Sequence, residues 1–217
     1  VAFPTVIDTT NTPNLGAVAA TENINLSGSI VAGRLLLVFL YSSKAFTTTA
    51  GWTVLGSFVQ ATVTSTVAAL AKTAAGSDAL TLTFVGGNGN ANAISTQVDN
   101  WSGSISDVKW VGTDATADPP SLTMGGNVDN LWLPFVTSAS GLPTGAPTNY
   151  TGFVSNSVGV VSAQRSLTAL TEDPGAFSGG STFFPSAHTV GVAPAAAGVA
   201  PYRHIVTQAA IQRASTW

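Results

Sequence analysis

Seven apolar residues run without a break from Leu35 to Tyr41, opened by Gly33-Arg34 and closed by Ser42-Ser43. A run of that length between turn formers fits a strand of about 5–8 residues buried on both faces, because helices average about 11 residues or more. Val38, Phe39 and Tyr41 favour a pleated surface, and the run is far short of the roughly 20 residues that span a bilayer. It predicts a central strand. Leu80, Leu82 and Phe84 alternate with Thr81 and Thr83, the period-2 signal of a half-buried strand. Further strands are expected at Phe3–Ile7, around Asn23–Leu26, at Gly51–Gly56, within Thr62–Lys72 and at Ala93–Trp101. Helical periodicity is almost absent, and 22 Gly and 11 Pro punctuate the chain every few residues.

The segment Asp107–Asn130 is rich in Asp, Gly and Pro, carries Pro119-Pro120, and is read as the link between two halves. Beyond it the pattern restarts about 95 residues on. Asp129–Ser138 echoes Gly33–Ser42, and Tyr150-Thr151 echoes Trp52-Thr53. Val158–Leu167 echoes Thr62–Lys72 with Arg165 near the place of Lys72, Glu172-Asp173-Pro174-Gly175 echoes Gly76-Ser77-Asp78, and His188–Val192 echoes Ile94–Val98. Each half has one strongly apolar strand, too little to bury a core alone. The expectation is therefore an all-β fold, an eight-stranded or slightly larger jelly-roll-like β-sandwich over residues 1–194, with pseudo-repeats at about 23–104 and 119–194. Residues 195–217 depart from the pattern and are read as a C-terminal arm or final strand.

Composition changes the picture in one respect. Charged residues make up 8% of the chain, against roughly 25% in ordinary domains, so Ser, Thr and Asn must supply the polar surface. Such a surface repels neighbours weakly and suits packing in an assembly or a secreted β domain. Seven Lys and Arg with a net charge of −3 give no footprint for nucleic acid. The absence of Cys removes disulfides, zinc–thiolate sites and thiol catalysis. No membrane span is expected. Val1-Ala2-Phe3-Pro4 lacks a basic n-region and a long apolar h-region, although a secreted form with its signal removed would look the same.

Several short motifs occur in a fixed order. They are Ala2-Phe3-Pro4-Thr5-Val6, Ala32–Phe39, Gly51-Trp52-Thr53, Pro119-Pro120-Ser121-Leu122-Thr123, Asp129-Asn130-Leu131-Trp132, Pro147-Thr148-Asn149-Tyr150 and Glu172-Asp173-Pro174-Gly175. In this order, over about residues 2–194, the chain resembles a family of phage and prophage virion proteins with a duplicated jelly-roll-like sandwich. Arg34 departs from the resemblance, standing where that family usually has an acidic residue. The resemblance implies a non-enzymatic structural protein on the virion surface, made in the host cytoplasm. The expected role is capsid decoration or head fibre, with tail-fibre or carbohydrate-binding receptor recognition as the alternative. The expected partners are other virion proteins, copies of the same chain with a trimer favoured, and a host-surface glycan under the alternative.

Candidate chemistry is sparse. Neither His188 nor His204 has a His or carboxylate at metal-ligand spacing, no Gly-x-Ser-x-Gly elbow is present, and the adjacent Glu172-Asp173 would point to opposite faces of a strand. Catalytic residues, metal sites and cofactors are therefore expected to be none. Asp114, Asp118, Asn127, Asp129 and Asn130 gather oxygen donors in one segment but lack calcium-loop spacing. Trp52 and Trp132 are read as core, and Trp101 and Trp110 as candidates for stacking on a glycan. In the tail, Tyr202, Arg203, Arg213 and Trp217 are candidates for an assembly arm reaching a neighbouring subunit, with Asp107, Asp114, Asp118 and Asp129 as a candidate acidic partner patch.

Overall fold

The computed structural model describes residues 2–12, 19–26, 28–60, 64–157, 159–180 and 183–196. The expected arm residues Tyr202, Arg203, Arg213 and Trp217 lie outside the described residues. Among the described residues, thirteen strands and one short 3-10 turn at Ile105–Asp107 form an all-β sandwich of antiparallel sheets.

The first half supplies β1 (Thr5–Thr12), β2 (Thr21–Ile24), β3 (Leu35–Ser42) and β4 (Phe46–Thr48). It continues with β5 (Thr53–Val59), β6 (Thr66–Thr73), β7 (Leu80–Phe84) and β8 (Ala91–Asp99). The second half supplies β9 (Val108–Asp114), β10 (Leu122–Ser140), β11 (Thr151–Ser155), β12 (Val160–Glu172) and β13 (Phe183–Val192). One five-stranded sheet runs β1-β8-β3-β6-β5 and the other β9-β13-β10-β12-β11, so β3 and β10 hold the same central place in matching sheets. A three-stranded sheet, β2-β7-β4, belongs to the first half alone.

Register shows how deep the duplication runs. Lys72 lies opposite Leu36 on the central strand, and Arg165 lies opposite Trp132. Ile94 lies opposite Phe39, and His188 opposite Phe135. The two sheets face each other about an approximate dyad. There β3 packs on β10, β8 on β12 and β5 on β9, while Asn11 at the end of β1 donates to the Ser155 carbonyl of β11. Phe39 and Phe135 meet near this dyad with ring centroids 4.6 Å apart.

Every residue of β3 is buried, and the pleat explains why. Leu35, Leu37, Phe39 and Tyr41 point into the space between the sheets, against Leu131, Leu133, Phe135, Val190 and Val192. Leu36, Val38 and Leu40 point outward, where Ile24, Leu80, Leu82 and Phe84 of the small sheet cover them. Each such side chain contributes about 1.5–3 kcal/mol by leaving water. On the other outer face, Trp132, Val136 and Val161 are covered by Tyr150, Phe177, Leu122 and Met124. The sandwich is thus dry on both sides of both central strands.

One expectation needs correcting. Asp107–Asn130 is not a linker, because Val108–Asp114 and Leu122 onward are strands of the second sheet, interrupted around Pro119-Pro120. The all-β sandwich is as expected, with more strands than the eight or slightly more foreseen. The extra strands are mostly edges and the small sheet, where one exposed side lets polar residues dilute the apolar signal.

Candidate functional site

The two halves place a cation, a carboxylate and an aromatic ring in the same arrangement twice. Lys72 Nζ lies 2.7 Å from Asp78 Oδ1 and 5.9 Å from the centre of the Trp52 ring. Arg165 lies 2.7 Å from Glu172 Oε1 and 5.8 Å from the Tyr150 ring. Trp52 donates its indole N–H to the Ala79 carbonyl, and Tyr150 donates its hydroxyl to Glu172. Burial raises the Asp78 pKa, but the Lys72 ammonium and the backbone N–H groups of Ala75 and Gly76 outweigh it and hold the carboxyl below its ordinary value. Burial, then the Glu172 charge, pushes the Tyr150 hydroxyl well above its ordinary value. These groups hold turns onto the outer faces, and each carboxylate is already engaged.

Trp101 is 5% exposed and donates its indole N–H to the Gly33 carbonyl at 2.9 Å, so its faces are packed in the core and closed to a sugar. Trp110 is half-buried on β9, and a Cβ built on Gly56 would overlap its six-membered ring. Gly56 is thus the space that lets β5 and β9 close over Trp110. Trp101 closes the expected strand Ala93–Trp101 and Trp110 falls in the segment read as a link, and neither position reveals partners that lie far away in sequence.

His188 is wholly buried. Its ring stacks on Phe135 at 4.3 Å and on Trp110 at 5.7 Å, and Phe58 lies tilted against it at 5.2 Å. Nε2 lies 3.3 Å from Ser186 Oγ, which also accepts from the Gln60 amide at 3.1 Å and lies 2.6 Å from Thr137 Oγ1. Nδ1 has no hydrogen-bond partner. Burial alone pushes the imidazole pKa down to about 3. A Ser–His pair at this distance resembles half of a hydrolytic triad, but no carboxylate orients Nδ1 and neither residue reaches the surface.

Two of the oxygen donors between Asp114 and Asn130 are engaged within the fold. Asp129 accepts from the Thr168 hydroxyl, whereas Asn130 is buried and donates to the Ala169 carbonyl at 2.8 Å. Among the described residues no group of three or more His, Asp or Glu side chains could hold a metal ion. Arg34 pairs with Asp99 at 3.3 Å, which accounts locally for a cation at that position.

The surface offers shallow grooves. One of about 500 Å³ is lined by Thr10, Asn23, Asn25, Leu26 and Ile30. Another of about 300 Å³ lies beside β4 and β5, where Val54 and Val59 are 48% and 59% exposed. No family model, curated protein or solved structure matches the chain.

Proposed function

We propose that the chain is a non-enzymatic structural module of a phage virion, a capsid-decoration or head-fibre protein that works as a homo-oligomer on the particle surface. One observation carries the reading. The buried Ser186–His188 pair is sealed between the sheets and the Lys72–Asp78 and Arg165–Glu172 pairs fasten turns, so what the molecule offers outside is shape and a weakly charged polar surface. A rigid sandwich of that kind suits repeated docking against neighbours. The ordered motifs that resemble duplicated virion sandwiches support the same role. The packing of Trp101 in the core weakens the glycan-binding alternative, leaving Trp110 as its one remaining stacking candidate.

The test is assembly. Light scattering on the full chain is expected to report a trimer or larger, and deletion of residues 198–217 is expected to leave the sandwich folded while reducing that mass. A monomer that binds a defined glycan, with binding abolished by Trp110→Ala, would replace this reading with the lectin-like one. If the truncated chain unfolds, the tail is an integral part of the sandwich and the arm is withdrawn.

A further inference from the structure

His188 is the one buried basic side chain among the described residues, and neither the fold nor the assembly role needs it to be titratable. The duplicate position in the first half is Ile94, so an alkyl side chain serves the same packing purpose there. Around His188 the rings form one column. Trp110 of β9 stacks on His188 of β13, His188 on Phe135 of β10, and Phe135 on Phe39 of β3.

A neutral imidazole fits this column as an aromatic filler. A protonated one does not, because it carries a full charge and a second N–H donor into a place without an acceptor. Gly112 closes the Nδ1 side so tightly that a Cβ built there would overlap that nitrogen. The facing side chains are Phe58 and Gln60 from the β5 side, Trp110 from β9, Phe135 and Thr137 from β10, and Ser186 from β13 itself. Among charged residues, β9 carries Lys109 and Asp114, both exposed, and β10 carries the half-buried Asp129, whose carboxylate accepts from the Thr168 hydroxyl; β3, β5 and β13 carry none. No counter-ion reaches the ring, in keeping with burial as the sole cause of its lowered basicity.

The strands that seal the column are edge strands. Among the described residues β5 pairs with β6 alone and β9 with β13 alone. They meet across the sandwich where Trp110 fits onto Gly56 and Phe58 onto His188. We propose that His188 is a proton-sensitive latch on this side of the sandwich: the neutral ring keeps β5 and β9 closed, and the protonated ring parts them. Parting lets water reach Nδ1 and uncovers Phe58 and Trp110, an apolar surface absent from the closed form. The inference is independent of the assembly role proposed above.

The experiment uses the full chain between pH 6.5 and 4.5; carboxylates such as Glu22, raised by burial, begin to titrate toward the lower end, so every slope is read against that of the His188→Ile variant. Amide hydrogen exchange, corrected for intrinsic rates, reads the opening of each strand. Opening of β5 and β9 is expected to rise by up to about tenfold per pH unit, the slope for uptake of one proton on opening, while the centres of β3 and β10 stay protected. His188→Ile, which copies Ile94, is expected to flatten that slope. An unchanged slope in the variant, or equal loss of protection in β3 and β10, overturns the latch. Should the variant not fold, imidazole NMR of the wild-type chain decides. The His188 resonance is expected to resist titration near pH 6.5 and to shift only as β5 and β9 open, whereas free titration in the closed state overturns the proposal.

Discussion

Phe39 and Phe135 offer the most direct test of whether the two halves share one core. Both rings are fully buried, one from each central strand, and they stack nearly parallel with a 13° interplanar angle. Replacing either by Ala removes a large buried side chain and leaves a cavity that its fully buried neighbours fill poorly, which costs about 3–5 kcal/mol. Against a typical domain stability of about 5–15 kcal/mol, that is roughly a fifth or more of the total. Because the rings belong to different sheets, Phe39→Ala must weaken the second half as much as the first. Urea unfolding read by far-UV circular dichroism and by Trp fluorescence is expected to give coincident, single transitions, both moved to lower urea. A milder Phe39→Leu, Phe135→Leu double-mutant cycle is expected to return a coupling of about 0.5–1.5 kcal/mol, the increment of an aromatic pair beyond its area. Two separated transitions, with only one shifted by Phe39→Ala, would refute the shared core.

Two further substitutions probe local features. Gly112→Ala drives a methyl group into His188 and Trp110 and is expected to cost about 1–3 kcal/mol by overpacking. Gly125→Ala meets open space and should stay within about 0.5 kcal/mol, so equal melting temperatures for the two variants would refute the packing argument. Asp78→Asn removes the Lys72 partner and is expected to cost about 1.5–3 kcal/mol at pH 7. The Asp78 pKa is depressed on folding, so its contribution is present above the unfolded value of 3.8 and fades as pH falls through the folded one. The wild-type and Asp78→Asn denaturation midpoints should therefore converge on acidification, and a constant gap would count against the ion pair.

The parts of this fold that could be read from sequence are those where packing imposes a strict pattern. Leu35–Tyr41 is buried on both faces, so its unbroken apolar run marks a central strand directly. The likeness of Lys72 to Arg165 survived in sequence because each stands opposite its central strand and meets a carboxylate across a turn. Less was legible where strands lie at edges. Val108–Asp114 alternates only weakly because one side pairs with nothing, and the nearby prolines and glycines suggested a linker. Trp110 sits within that segment and Trp101 ahead of it, and their burial depends on Gly33, Gly56 and His188, which are distant in sequence. Nothing local to His188 signals its burial either. Its partners Phe58, Trp110 and Phe135 come from three other strands.

The small sheet β2-β7-β4 caps one outer face, while turns and the long β10 cover the other. Inside, the protein is close to a dimer of itself, yet its exterior has a front and a back. A neighbour shaped to one broad surface will not fit the opposite one. A layer that repeats a front-to-back contact through those surfaces inherits a direction, with all copies facing the same way.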